Sequence, residues 1–134
     1  MAVINATSMP DIMYTGDCPM AVAHGYHTLA SAQINDVVRL VKLSAGTKVV
    51  DAKLINAALG AGTTVSLGYE YVNGEAAAAP TAFLGDTSTA AAAVTRSAAA
   101  PVVLQYDAYM TATVKGGVAN GKIDAVLLYE FRGK

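Results

Sequence analysis

Apolar residues recur along this chain with a period of two. Val65, Leu67, Tyr69 and Tyr71 alternate with Ser66, Gly68 and Glu70, which places four apolar side chains on one face of an extended strand. Val50, Ala52 and Leu54 alternate with Asp51 and Lys53, and Met110, Ala112 and Val114 with Thr111, Thr113 and Lys115. Near the C-terminus Ile123, Ala125, Leu127, Tyr129 and Phe131 share one face. The other face carries Asp124 and Glu130 but also Val126 and Leu128, so this strand is expected to be buried on both sides. Residues 20–30, 34–43 and 102–106 are three further strand candidates.

Turn residues separate these runs at short intervals: Ser44-Ala45-Gly46, Gly60-Ala61-Gly62, Asn73-Gly74, Gly85-Asp86, Gly116-Gly117 and Asn120-Gly121. Asn-Gly and Gly-Gly tolerate the positive φ of tight hairpins. Many short strands with regular turns predict an all-β fold, an antiparallel β-sandwich of jelly-roll-like type, with an immunoglobulin-like sandwich as the alternative. A short helix is expected at most within residues 55–59 or 90–93, because Thr, Ser, Pro80 and Pro101 flank the helix-favouring alanines. The alanine-rich stretch 75–100 reads as a loose loop or a small-residue contact surface.

Residues 1–19 break the pattern. Pro10, Gly16, Asp17 and Pro19 interrupt a segment that also holds Val3, Ile4, Met9, Ile12, Met13 and Tyr14. It is too apolar for a solvated tail and too interrupted for a regular element. The expectation is an extended N-terminal arm, with those six apolar residues as the partner interface, in front of one sandwich domain over 20–134. A strand tucked against its own sheet is the competing reading of the same segment.

Composition sharpens this picture. The chain is 54% hydrophobic and only 14% charged, against about 25% charged in an ordinary soluble domain. A surface so poor in charge fits one that meets other protein. The net charge is −1, and Lys42, Lys48 and Lys53 are interleaved with Asp36 and Asp51, so no basic stripe exists to attract nucleic acid. The single Cys18 excludes an intrachain disulfide. Residues 1–10 carry no basic residue and resemble no signal peptide, and the longest uncharged stretch, 54–69, is too rich in Gly, Asn and Thr for a membrane span.

Candidate chemistry is sparse. No phosphate-binding glycine loop and no nucleophile elbow occurs. Cys18, His24 and His27 come nearest to a metal or nucleophile set, but His24 and His27 are three apart on a predicted strand and so point to opposite faces. The carboxylates are scattered, with Glu70 and Glu130 the one pair weighed as facing each other. There is no Trp to platform a sugar. Neither an enzyme nor a cofactor is expected.

Two stretches carry a resemblance. They are Val41-Lys42-Leu43-Ser44-Ala45-Gly46-Thr47-Lys48-Val49-Val50-Asp51-Ala52 and Leu59-Gly60-Ala61-Gly62-Thr63-Thr64-Val65-Ser66-Leu67-Gly68-Tyr69. With Phe83-Leu84, the Thr87–Ala93 run and a closing hairpin from Thr111 to Ile123, residues 37–134 resemble small structural proteins of tailed bacteriophages. The similarity is to head decoration, or cement, proteins. It implies a jelly-roll or related sandwich, dimers or trimers, and binding to the major capsid protein on the capsid exterior of the virion after synthesis in the host cytoplasm. The charge and hydropathy pattern, rather than the resemblance, is what argues against a membrane or nucleic-acid partner. A tail, collar or fibre component, or a carbohydrate-binding sandwich, is the alternative.

Overall fold

The computed structural model describes residue 3 and residues 20–131. Among these are nine strands and no helix: β1 (Met20–Ala32), β2 (Val37–Leu43), β3 (Thr47–Asn56), β4 (Thr64–Tyr71), β5 (Ala79–Ser88), β6 (Ala93–Arg96), β7 (Val102–Val103), β8 (Ala108–Lys115) and β9 (Ala119–Phe131). The first sheet runs β1-β9-β3-β6, with β7 also paired to β3; the second runs β2-β8-β4-β5. Every pairing is antiparallel.

Consecutive strands change sheet at almost every step, and only β4 and β5 are sequence neighbours that pair. This wrapping is a jelly roll. An immunoglobulin-like sandwich would instead keep its first two strands side by side in one sheet. The Gly116-Gly117 turn therefore joins β8 to β9 across the sandwich, and the closing hairpin expected there does not form. Asn73-Gly74 is a true hairpin turn, with Gly74 at φ 71°.

The core lies between the two inner faces. Leu54, Val65, Leu67, Met110, Val114, Ile123 and Leu127 are fully enclosed. Ala108, Ala112, Ala119 and Ala125 are enclosed with them. The predicted alternation holds for β4, β8 and β9 and slips in β3. There Val49 lies opposite Tyr129 and Asp51 opposite Leu128, so Val50 is an extra residue, a bulge that reverses the facing of the later β3 residues relative to the earlier ones. Val49 rather than Val50 accordingly joins Ala52 and Leu54 in the core. A second bulge places Leu40 between Arg39 and Val41 of β2.

Other expectations need correction. The alanine-rich stretch is no loop, because it contains β5 and β6. Gly85-Asp86 and Asn120-Gly121 sit inside β5 and β9 and are not turns. The strand expected over 102–106 is only two residues long. Leu104 beyond it is buried and donates its N–H to the Thr47 carbonyl at 2.9 Å. No helix forms at 55–59 or 90–93; Ile55 and Asn56 finish β3. On β9, Val126 and Leu128 are half-buried on the outer face and Phe131 is 58% exposed, so the strand is enclosed on one side only.

Two glycines answer to space. Between Leu67 and Tyr69 the partner position moves from Leu84 to Ala79, folding several residues of β5 over one position of β4. That position is Gly68, where an added Cβ would strike the Ala79 carbonyl oxygen and the Pro80 backbone. At Gly25 on β1 an added Cβ would sit 2.7 Å from Leu40 Cβ and 3.2 Å from Met110 Cε, so the two sheets close together there over hydrogen alone.

Gly68→Ala is expected to lower unfolding free energy by about 1–3 kcal/mol through overpacking. Gly85→Ala, where nothing lies within 4 Å of the added methyl, should change it little. Denaturant midpoints of the two variants side by side check the contrast.

Candidate interaction surface

Of the six residues predicted to form the partner interface, Ile4, Met9, Ile12, Met13 and Tyr14 lie outside the described residues, as does Cys18. Val3 is described and is 82% exposed.

The residues considered for chemistry do not assemble. His24 and His27 alternate along β1, His24 opposite Val126 and His27 opposite Ile123. His24 Nε2 bonds Asp124 Oδ1 at 2.8 Å, and its ring lies 5.5 Å from that of Tyr26. Among the described residues no three of His, Cys, Asp or Glu could hold a metal ion. Glu70 pairs with Arg39 on the second sheet, while Glu130 belongs to β9 in the first. The two carboxylates are therefore not a facing pair.

The tyrosines mainly pack. Tyr69 lies 5.2 Å from Tyr71 and 5.7 Å from Phe83, and Tyr71 meets Tyr106 edge-on at 5.3 Å. This aromatic cluster fills the β4–β5 end of the sandwich. Burial first, and the Tyr71 hydroxyl second, raise the Tyr69 phenol above its ordinary value of 10.0. Tyr109 sits under Arg39, whose guanidinium carbon is 4.7 Å from the ring centre.

What the fold does assemble is two unlike outer faces. Strand register sets the outward rows of the first sheet: Val22, Leu128 and Asp51; His24, Val126, Lys53 and Arg96; Tyr26, Asp124, Ile55 and Val94. Apolar side chains are mixed with ion pairs, Arg96 Nε to Asp51 Oδ2 at 3.0 Å and Lys122 Nζ to Asp124 Oδ1 at 3.9 Å. Leu128 and Val126 floor a shallow hollow of about 210 Å³ edged by Asp51, Lys53 and Arg96. The outward residues of the second sheet are mainly polar, Val37 and Tyr109 excepted, with Ser66, Thr111 and Thr113 buried along its middle and the Arg39–Glu70 pair beside them.

Five large exposed apolar residues lie along one flank, while Val94, Val103, Tyr106, Val118 and Phe131 are exposed elsewhere. Met20, Val22 and Tyr26 line β1, Ile34 sits in the β1–β2 turn, and Val37 opens β2. A second hollow, about 280 Å³, opens at the end of the sandwich between Leu43, Ser44, Thr47, Tyr129 and Phe131 with Lys42 at its edge. Both hollows are open and shallow, unlike the enclosing clefts that bury most of a small molecule. The sequence signal for the first face was already present in Val126 and Leu128, two apolar residues with the wrong parity for the core.

Because Tyr69 titrates at higher pH in the folded than in the unfolded chain, its contribution is complete below pH 10 and declines as pH rises through the raised value. Stability measured across the alkaline range should therefore fall above about pH 10, and the fall should be smaller in Tyr69→Phe.

No protein-family model matches the sequence, and no curated protein does. Solved structures do share the fold. A chain in the capsid of Ralstonia phage GP4 superposes with a TM-score of 0.70 at 18% identity, covering 92% of this chain and 92% of that one. A chain of the acid-stable capsid of Helicobacter pylori bacteriophage KHP30 gives 0.64 at 24% identity over 85% of this chain and 89% of the other. A chain of the cyanophage Pam1 capsid asymmetric unit gives 0.66 at 16% identity, with 98% and 99% covered. The jelly roll is thus, over nearly its whole length, a fold also found in the capsids of these phages.

Proposed function

We propose that this protein is a structural component of a bacteriophage virion, a decoration or cement protein that sits on the outer surface of the head and braces the shell by bridging capsomers. The observation that carries the reading is the near end-to-end fold match, 92% of both chains, to a chain in the capsid of Ralstonia phage GP4. The surface agrees with it. Charge is scarce, five large exposed apolar side chains lie along one flank, and the hollows among the described residues are shallow.

The partners in this reading are the major capsid protein and further copies of the chain. A stiff two-sheet block suits the task, because a brace that deforms under load transmits no support. Each attachment can be weak, since a lattice presents many at once and multivalency raises the effective affinity. The segment 1–19, with Val3, Ile4, Met9, Ile12, Met13 and Tyr14, is the proposed capsid-gripping arm. A short apolar peptide of this kind can add a strand to a neighbour's sheet edge.

Co-sedimentation of the purified protein with bare phage heads, with tails as control, tests the assignment. Saturable binding to heads alone is the expected result. Binding to tails would move the protein to a tail, collar or fibre role, and saturable binding to glycans without any virion part would make it a carbohydrate-binding module. Deletion of residues 2–10 should leave the melting midpoint near that of the intact chain and weaken head binding at least tenfold. Unfolding on deletion would instead make that segment part of the protein's own sheet.

A further inference from the structure

The sandwich has four long sides where a sheet ends, and they are not equally protected. A free edge strand presents unpaired N–H and C=O groups to any other edge, so proteins blunt their edges with charge, proline, bulges or brevity. The second sheet is blunted on both sides. β2 carries Arg39 and Lys42 together with the bulge at Leu40. β5 contains Pro80 and two register breaks against β4. The far side of the first sheet ends in β6 and β7, only four and two residues long.

β1 has none of these devices over most of its length. It runs thirteen residues, Met-Ala-Val-Ala-His-Gly-Tyr-His-Thr-Leu-Ala-Ser-Ala, with no proline, no carboxylate, no lysine and no arginine. Its register against β9 is unbroken from Met20 to Leu29, and the one irregularity comes after that. Among the described residues its other side pairs with no strand. Along its outward face Met20, Val22 and Tyr26 are 46%, 59% and 65% exposed, and Ile34 and Val37 extend the apolar rim just beyond it.

We infer that the β1 edge is a self-association surface at which two copies of this chain pair strand to strand about a twofold axis. The edges themselves identify the occupant. Joining two copies by strand addition needs an unblunted edge on each, and β1 is the one edge among the described residues that qualifies. The same strand related to itself by a twofold runs antiparallel, the polarity of every other pairing in the structure. With no formally charged side chain on β1, self-pairing brings no like charges together across the new ladder. Val22 and Tyr26 then cover one another's apolar surface from the two copies, and the β1-containing sheets of both copies become one continuous sheet. A strand of this length offers about 40 Å of pairing. The inference deepens the self-association named under the proposed function, and it does not depend on which shell the dimer binds.

The test uses the intact chain without any phage head, so its outcome is separate from that of head binding. Sedimentation equilibrium of the wild type should show a monomer–dimer equilibrium. Val22→Lys and Tyr26→Lys, at exposed positions where folding tolerates the change, should weaken it at least tenfold while leaving the circular dichroism melting curve in place. In a Cys18→Ser background, single cysteines at positions 22, 24 and 26 should form disulfide dimers under mild oxidation, fastest at the position nearest the twofold. A monomer at every concentration overturns the inference. So does a dimer that resists both lysines and fails to cross-link through β1. Dimerisation that appears only after residues 1–19 are removed would assign the edge to that segment instead, and this too overturns it.

Discussion

The architecture rests on the burial of two inner faces built largely from alternating small and large side chains. Ala52, Ala108, Ala112, Ala119 and Ala125 are enclosed together with Leu54, Leu67, Met110, Ile123 and Leu127. Small side chains on each sheet let the large ones interdigitate at near-crystalline density. They also account for part of the high alanine content, which at surface positions would contribute little. Gly25 shows how close the approach becomes, since a single methyl there would collide with Leu40 and crowd Met110. The sheet spacing is therefore a consequence of residue size at a handful of inward positions, and the outer faces inherit their shape from it.

Connectivity then decides what the surface can do. β9 sits between β1 and β3, and β8 between β2 and β4, so both ends of the described 20–131 segment are tied into one sheet, Met20 opposite Glu130. Crossing between the sheets at nearly every step makes the block hard to shear, because separating the sheets strains many connections together. Among the described residues the same topology leaves four strand edges, three of them carrying charge, proline, bulges or short strands and one, β1, with none of these over most of its length. Surface ion pairs such as Arg96–Asp51 and Arg39–Glu70 contribute little stability individually.

Much of the fold was legible in the chain. The period-two runs at 65–71 and 110–114 and the inward set Ile123, Ala125 and Leu127 are strands whose apolar residues face the core as predicted, because alternation on a pleated backbone is a purely local rule, although Ser66, Thr111 and Thr113 on the other face are buried as well. Of the two readings of 75–100, a loose loop or a small-residue contact surface, the loop fails for the same reason. Alanine carries almost no facing signal, and β5 and β6 owe their extended form to pairing with β4 and β3. The bulges at Val50 and Leu40 were equally invisible, since an extra residue is defined only against the strand opposite. Of the expected interface set, Val3 is an exposed side chain and the others lie beyond the described residues. The apolar flank along β1 went unread because an edge exists only once the sheet order does.

What the sequence determined by itself was the class of the protein: all-β, with alternating faces and few charged residues. These are properties of single positions and their immediate neighbours, and they survive without any knowledge of the partner strand. The tertiary structure alone decided the jelly-roll order, the glycines that permit close approach, and which strands lie at the sheet edges among the described residues. Each of those depends on pairing between residues far apart in the chain, as His24 and Asp124 are. The energy that selects one such pairing over another comes from burying both sheets at once, which no local stretch of the chain can register.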